Sequence, residues 1–208
     1  MKKLTQISVL AFAVLALASC KKKGCNDANA SNYSAEAEKD DGSCVYDFVI
    51  TSEAVDENGE LLASYKCEQA VNGVENSIPL SWKNVPDGTG SLAIIMQHFP
   101  NPSDPVNANH YLLLWDIAPT VTEIPYGTAD DGPWYMGSNK DGTYISYTSP
   151  CSPTSGTHAY EIVIYALSET PSSLPTQSSL SVDRTTLLDA IGTVTVIDQA
   201  ILEFNDVN

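Results

Sequence analysis

Positive charge is scarce in this chain. Ten Lys and Arg stand against 26 Asp and Glu among 208 residues, a formal net charge of −16. Nucleic-acid binding needs Lys and Arg gathered on one face to neutralise phosphates, and a polybasic membrane patch needs the same, so composition argues against both. Histidine is scarcer still, with three copies: His98, His110 and His158. Also missing are Gly-x-Ser-x-Gly, His-Glu-x-x-His, a phosphate-binding loop and a dinucleotide fingerprint, so motif-borne hydrolase, NTPase and oxidoreductase chemistry has no anchor here. What is present suffices for a globule. Hydrophobic residues make up 43% and charged residues 17% of the chain, enough for a packed core in one medium domain with a short appendage.

Lys2 and Lys3 precede an apolar run from Ile7 to Leu17 that closes in Leu17-Ala18-Ser19-Cys20. The run is too short to span a bilayer and ends in small residues, which reads as a cleaved signal peptide over residues 1–19. Its last four residues resemble a bacterial lipobox, which implies lipidation of Cys20 and a membrane anchor. Residues 20–24 then form a short basic tether. Lys21, rather than Asp, after the anchor points to the outer membrane of the cell envelope. Export permits disulfides, and four cysteines remain: Cys25, Cys44, Cys67 and Cys151. Three pairings are possible. Cys25 and Cys44 bracket a small polar stretch, and the spacing favours a staple between them, which leaves Cys67 and Cys151 either to tie two distant loops or to stay as buried thiols.

Residues 25–44 carry one aromatic and no aliphatic cluster, too little apolar surface to fold unaided. The stretch resembles a cysteine-bracketed module found in exported bacterial proteins. Asp27, Asn29, Asp40 and Asp41 offer hard oxygen ligands suited to calcium, though without the alternating spacing of an EF-hand loop, and the plainer reading is a polar spacer.

From residue 46 to 208 the chain changes character. Phe48–Thr51, Ser91–Met96, Tyr111–Trp115 and Ile162–Leu167 are short apolar runs bounded by Gly, Pro, Asn and Asp, which reads as buried strands. Asp183 can cap a helix through Ile191, with Leu187, Leu188 and Ile191 on one face and Gly192 at its end. A last strand runs from about Ile197 to Phe204. The fold class is mainly β, with one or two C-terminal helices.

Three segments then resemble the phosphatidylethanolamine-binding protein family. They are Tyr65-Lys66-Cys67 with Ser77-Ile78-Pro79-Leu80-Ser81-Trp82; Asn109-His110-Tyr111 through Ile117; and Ser149-Pro150-Cys151-Ser152-Pro153 leading to His158-Ala159-Tyr160. The resemblance implies a two-sheet β-sandwich, a large antiparallel sheet on a smaller one, with a shallow anion-binding pocket at one end. It places His110 and His158 at the family's two histidines and Tyr160 at its tyrosine, with Ser149 beside them. The family's Asp-Pro-Asp-Ala-Pro loop is here Gln97-His98-Phe99-Pro100-Asn101-Pro102, which sets His98 where a carboxylate would stand. Phe99, Tyr111, Trp134, Tyr135 and Tyr147 lie in or beside the matching loops as candidate walls, and Trp82 reads as core.

On that placement, His98, His110 and His158 meet around one cavity. Partly protonated imidazoles there would hold a phosphate or carboxylate, from a small anion or a phospholipid headgroup. Three neutral imidazoles would instead suit zinc or copper, in a metal-binding protein or metal-dependent hydrolase. A structural envelope protein with a vestigial pocket is the third reading. Nothing selects a catalytic residue, so a binding protein without a cofactor leads.

Overall fold

The computed structural model describes residues 21–71, 73–101, 103 and 107–208. The expected signal peptide and Cys20 lie outside the described residues. Among those described, no helix is long and apolar enough to cross a membrane. The chain divides into two compact units, meeting at Asp47 and Phe48.

The first unit is stapled by a Cys25–Cys44 disulfide. Its acidic residues serve its own turns. Asp27 accepts the Asn29 N–H at 2.9 Å and the Tyr46 hydroxyl at 2.7 Å. Asp40 and Asp41 accept the N–H groups of Gly42 and Ser43. The backbone bond to Asn29 is the main reason the Asp27 carboxyl titrates below its ordinary range.

The described residues of the second unit form eight strands and one α-helix. Strands β1 (Val49–Thr51), β2 (Leu80–Lys83) and β5 (Glu123–Ile124) form a small antiparallel sheet in the order β1-β2-β5. Strands β3 (Ser91–His98), β4 (Asn109–Ile117), β6 (Tyr135–Met136), β7 (Thr157–Leu167) and β8 (Val196–Val207) form a five-stranded antiparallel sheet in the order β6-β4-β3-β7-β8. The expected β-sandwich of a large sheet on a smaller one is what forms.

The apolar runs are continuous because the centre of the large sheet is buried on both faces, so period-two alternation disappears. On β3, Leu92, Ile94 and Met96 face the small sheet and pack with Ile50, Leu80 and Trp82. Ala93 and Ile95 face the other way, toward Leu187, Ala190 and Ile191 of α1 (Arg184–Ile191). The helix begins where Asp183 accepts the Thr186 N–H at 2.8 Å. Gly192 ends it with φ −64°, a conformation open to any residue, so the glycine's left-handed freedom goes unused there.

The expected strands are lengthened at their polar ends by pairing. β7 begins at Thr157 rather than Ile162 because β8 pairs with it along its whole length. β2, β5 and β6 were missed as strands. They are two to four residues long and held by neighbours rather than by an apolar pattern of their own. The Cys67–Cys151 alternative resolves as a disulfide across a sequence separation of 84.

Candidate functional site

The apolar faces of β3 and β7 stop at one end of the sandwich, and imidazoles follow in the same alternation. His98 continues the row Leu92, Ile94, Met96, and His158 continues the row Ile164, Ile162, Tyr160. His98 pairs with Tyr160 across the two strands. The imidazole rings of His98 and His158 therefore meet edge to face, with centroids 5.8 Å apart. His98 stacks on Tyr160 at 4.8 Å, Tyr160 stacks on Phe204 at 5.3 Å, and Tyr111 meets Tyr160 edge-on at 5.1 Å. A carbonyl can only accept, so His98 Nδ1, 2.7 Å from the Ala159 oxygen, carries a proton, and so does His158 Nε2, 3.1 Å from the Thr154 oxygen. This leaves His98 Nε2 and His158 Nδ1 as the ring nitrogens to offer a ligand.

His110 is not with them. Along β3 and β4 the register runs Met96 with Leu112, then Gln97 with His110, so Tyr111 is one residue extra on β4. Such a bulge reverses the alternation beyond it. Tyr111 joins the inter-sheet side, and His110 turns to the face that carries α1. There its Nε2 lies 3.2 Å from Ser138 Oγ. Burial holds its imidazole below the ordinary titration range, against an opposing pull from the Asp183 carboxylate. The expectation of three convergent imidazoles is corrected to a pair, with Tyr111 and Asn109 as the residues β4 contributes. Among the described residues, no three His, Cys, Asp or Glu side chains are grouped to hold a metal ion. A three-histidine zinc or copper site is without its third ligand, and the acidic residues of the first unit form no calcium cluster.

The histidine pair opens into a cavity of about 350 Å³. Tyr111, Tyr160 and Asn109 line it from the strands, residues 151–154 form a wall, and Lys140 reaches it from the segment after β6. No carboxylate is among its described lining residues. Lys140 does have an acidic neighbour, Asp141, at 3.7 Å with both side chains solvent-accessible, an arrangement of small energetic consequence. Sequence reasoning missed Lys140, because nothing local marks one lysine in a turn as facing a pocket.

Tyr160 is held protonated: burial raises its phenol well above the ordinary value, and a hydrogen bond with Tyr111 adds to this. It can only donate or accept as a neutral hydroxyl. Beside His158 on the neighbouring strand, Asp206 pairs with it in register, is 0% exposed, and meets Lys66 Nζ at 2.8 Å.

Ser149 belongs to an adjoining hollow of about 190 Å³ that shares Tyr111, Lys140 and Cys151 with the histidine cavity. It is buried; its Oγ accepts the Glu68 N–H at 2.9 Å and its own N–H goes to Glu75. Of the other aromatic candidates, Tyr147 is core, Tyr135 packs beside Trp115, and Phe99 lies under the Arg184 guanidinium at 5.7 Å. Phe99 lines a separate cavity of about 450 Å³ with Glu161 and Glu203. That space is larger, but among its described lining residues there is no imidazole and the charged ones are acidic.

A two-sheet β-sandwich with a shallow histidine-bearing pocket at one end is the class of protein these observations define. Residues 51–205 match the phosphatidylethanolamine-binding protein family, and the chain belongs to that family. It is 32% identical over 122 residues to a UPF0098 protein of Methanothermobacter thermautotrophicus, covering 57% of this chain and 75% of that one. A UPF0098 protein of Chlamydia muridarum is 28% identical over the same shares. Among solved structures, a putative phosphatidylethanolamine-binding protein homologue from Chlamydia trachomatis superposes with a TM-score of 0.62 at 25% identity, covering 77% of this chain and 97% of that chain. YbcL of E. coli gives a TM-score of 0.62 at 21% identity, covering 77% and 98%, a likeness of fold.

Proposed function

We propose that this protein is an exported binding protein, anchored to the outer membrane through a lipid on Cys20, whose His98–His158 pocket takes a small phosphate- or carboxylate-bearing molecule or headgroup. The observation that carries the reading is the pair of edge-to-face imidazoles opening, with Lys140, into a cavity that has no carboxylate among its described lining residues. In a chain of net charge −16 the general field repels anions, so a local cluster of cationic donors is the place an anion can sit. Two ring nitrogens remain after the backbone carbonyls are served, and protonated imidazoles would use both as charge-assisted donors. Tyr160 and Tyr111 give the cavity aromatic lining. His98, at the end of β3, stands where the resemblance puts the family's Asp, and so removes a charge that would oppose the ligand.

Inorganic sulfate is the cleanest probe, because its charge is constant between pH 6 and 8 while imidazoles lose theirs. Thermal melts of the purified protein should shift upward with sulfate, and with phosphate or phosphoethanolamine, at pH 6. The sulfate shift should fade by pH 8. His98→Ala and His158→Ala should each weaken binding about tenfold or more, the worth of one charged hydrogen bond. No shift at pH 6 with any of the three ligands would overturn the proposal. Labelled palmitate incorporated in the wild type and absent in Cys20→Ser tests the anchor; equal labelling sinks it.

A further inference from the structure

The histidine that the bulge removes from the pocket sits directly behind one of the pocket's walls. His110 contacts Ser138, and Ser138 is two residues before Lys140. Ser138 donates its backbone N–H to the Val182 carbonyl at 3.0 Å, and its hydroxyl reaches the same oxygen at 3.5 Å. Its Oγ lone pair is thereby left to accept the His110 Nε2–H. The next residue, Asn139, is buried and closes the following turn, its Oδ1 accepting the N–H groups of Thr143 at 2.9 Å and Tyr144 at 3.1 Å. On the other side of Ser138, the Gly137 N–H donates to the Leu113 carbonyl of β4 at 3.0 Å. A Cβ on Gly137 would lie 2.4 Å from the Val182 oxygen, so this backbone is pressed against its neighbours. The Lys140 N–H is itself within 3.4 Å of Thr148 Oγ1.

We infer that His110 is a positioning residue for the anion pocket, holding the Ser138–Lys140 segment from behind so that the Lys140 ammonium faces the ligand bound by His98 and His158. This rests on the anion-binding reading of that pocket. The bulge at Tyr111 does two jobs at once. It puts Tyr111 on the pocket floor and hands the neighbouring imidazole to the opposite face, where it bolts down a loop that returns to the same pocket. His110 serves here as a neutral hydrogen-bonding group, and the charged groups around it are Asp183 and Arg184 from the start of α1. Those two carry opposite signs, so the imidazole's neighbourhood is close to balanced.

A double-mutant cycle on sulfate binding tests the inference. His110→Ala and Lys140→Ala should each weaken sulfate binding by a similar factor, about tenfold for one charged contact. The double variant should lose no more than either single one, because the second change removes a contact already lost. His110→Gln, which keeps an amide donor for Ser138, should restore most of the affinity. A merely structural role for His110 would instead give losses that multiply, and a fall in melting temperature that tracks them. A second readout does not depend on binding. With lysines labelled by reductive 13C-methylation, the Lys140 resonance, assigned through Lys140→Arg, should move in His110→Ala without ligand. An unmoved resonance together with unchanged sulfate affinity overturns the inference. Failure of the wild type to bind sulfate, with the resonance still moving, sinks the anion reading and leaves the positioning role standing.

Discussion

At the scale of single residues, His110 and the pair His98–His158 show how one strand position decides a side chain's chemistry. The pair sits at an open cavity; His110 is half-buried against Ser138 and the start of α1. Its lowered titration range makes a stability statement with a definite sign. Between the folded value and the unfolded value of about 6.5, the unfolded chain binds a proton that the folded chain does not, so stability rises with pH. The contribution is complete above about pH 6.5 and is lost as pH falls through the folded value. Asp183, whose carboxyl is lowered mainly by the Thr186 N–H, loses its own contribution only in the more acidic carboxylate range. The wild-type melting temperature should therefore fall more between pH 7.5 and pH 5.5 than that of His110→Gln. Parallel curves for the two proteins would contradict this account of the buried imidazole.

At the scale of elements, length separates what could be read from what could not. Runs such as Leu92–Met96 and Ile162–Leu167 declare themselves because five or six successive apolar residues have no other stable use between turn signals. The helix from Arg184 was legible through its cap, and the cap carries a measurable share of its stability. Asp183→Ala should cost about 1 kcal/mol, or about 2–4 °C in melting temperature for a domain of this size. An unchanged melt would mean that the helix is held by its buried face alone. The candidate site was legible in part for the same reason. His98, His158 and Tyr160 lie on strands whose alternation carries on from the apolar core, so their common side follows from counting. His110 breaks that count, because the bulge at Tyr111 is created by pairing with β3, a strand some fifteen residues away, and no property of Asn109-His110-Tyr111 announces it. Lys140 was invisible for a different reason: its segment is fixed by the Lys140 N–H bond to Thr148, by the turn that Asn139 closes and by the His110 contact to Ser138, none of which a local pattern announces.

At the scale of the whole molecule, the pocket is assembled from parts that the sheets alone do not bring together. Residues 147–154 form no strand, yet they supply one wall and the carbonyl that holds His158. Three backbone groups tie this segment down. The Thr148 N–H donates to Tyr111 at 2.9 Å, the Glu68 N–H to Ser149 Oγ at 2.9 Å, and the Cys67 N–H to Pro150 at 3.0 Å. The Cys67–Cys151 disulfide adds a covalent tie at the rim of the cavity. Cys67 adopts φ 50°, a left-handed backbone that a side-chain-bearing residue takes only when its surroundings impose it. Closing a loop across a separation of 84 residues removes unfolded-chain entropy worth about 4–5 kcal/mol in the loop-closure estimate. The paired change Cys67→Ser with Cys151→Ser should lower the unfolding free energy by that order, read as a lower denaturant midpoint. It should also weaken sulfate binding, since the wall that orients His158 is then held by hydrogen bonds alone. The two effects are separable by measuring affinity far below the midpoint, where the variant is fully folded. A lower midpoint with wild-type affinity would make the disulfide a staple of the fold alone, with the pocket wall set by the three backbone bonds. Loss of both would make the same bond responsible for the domain's stability and for the shape of its binding site.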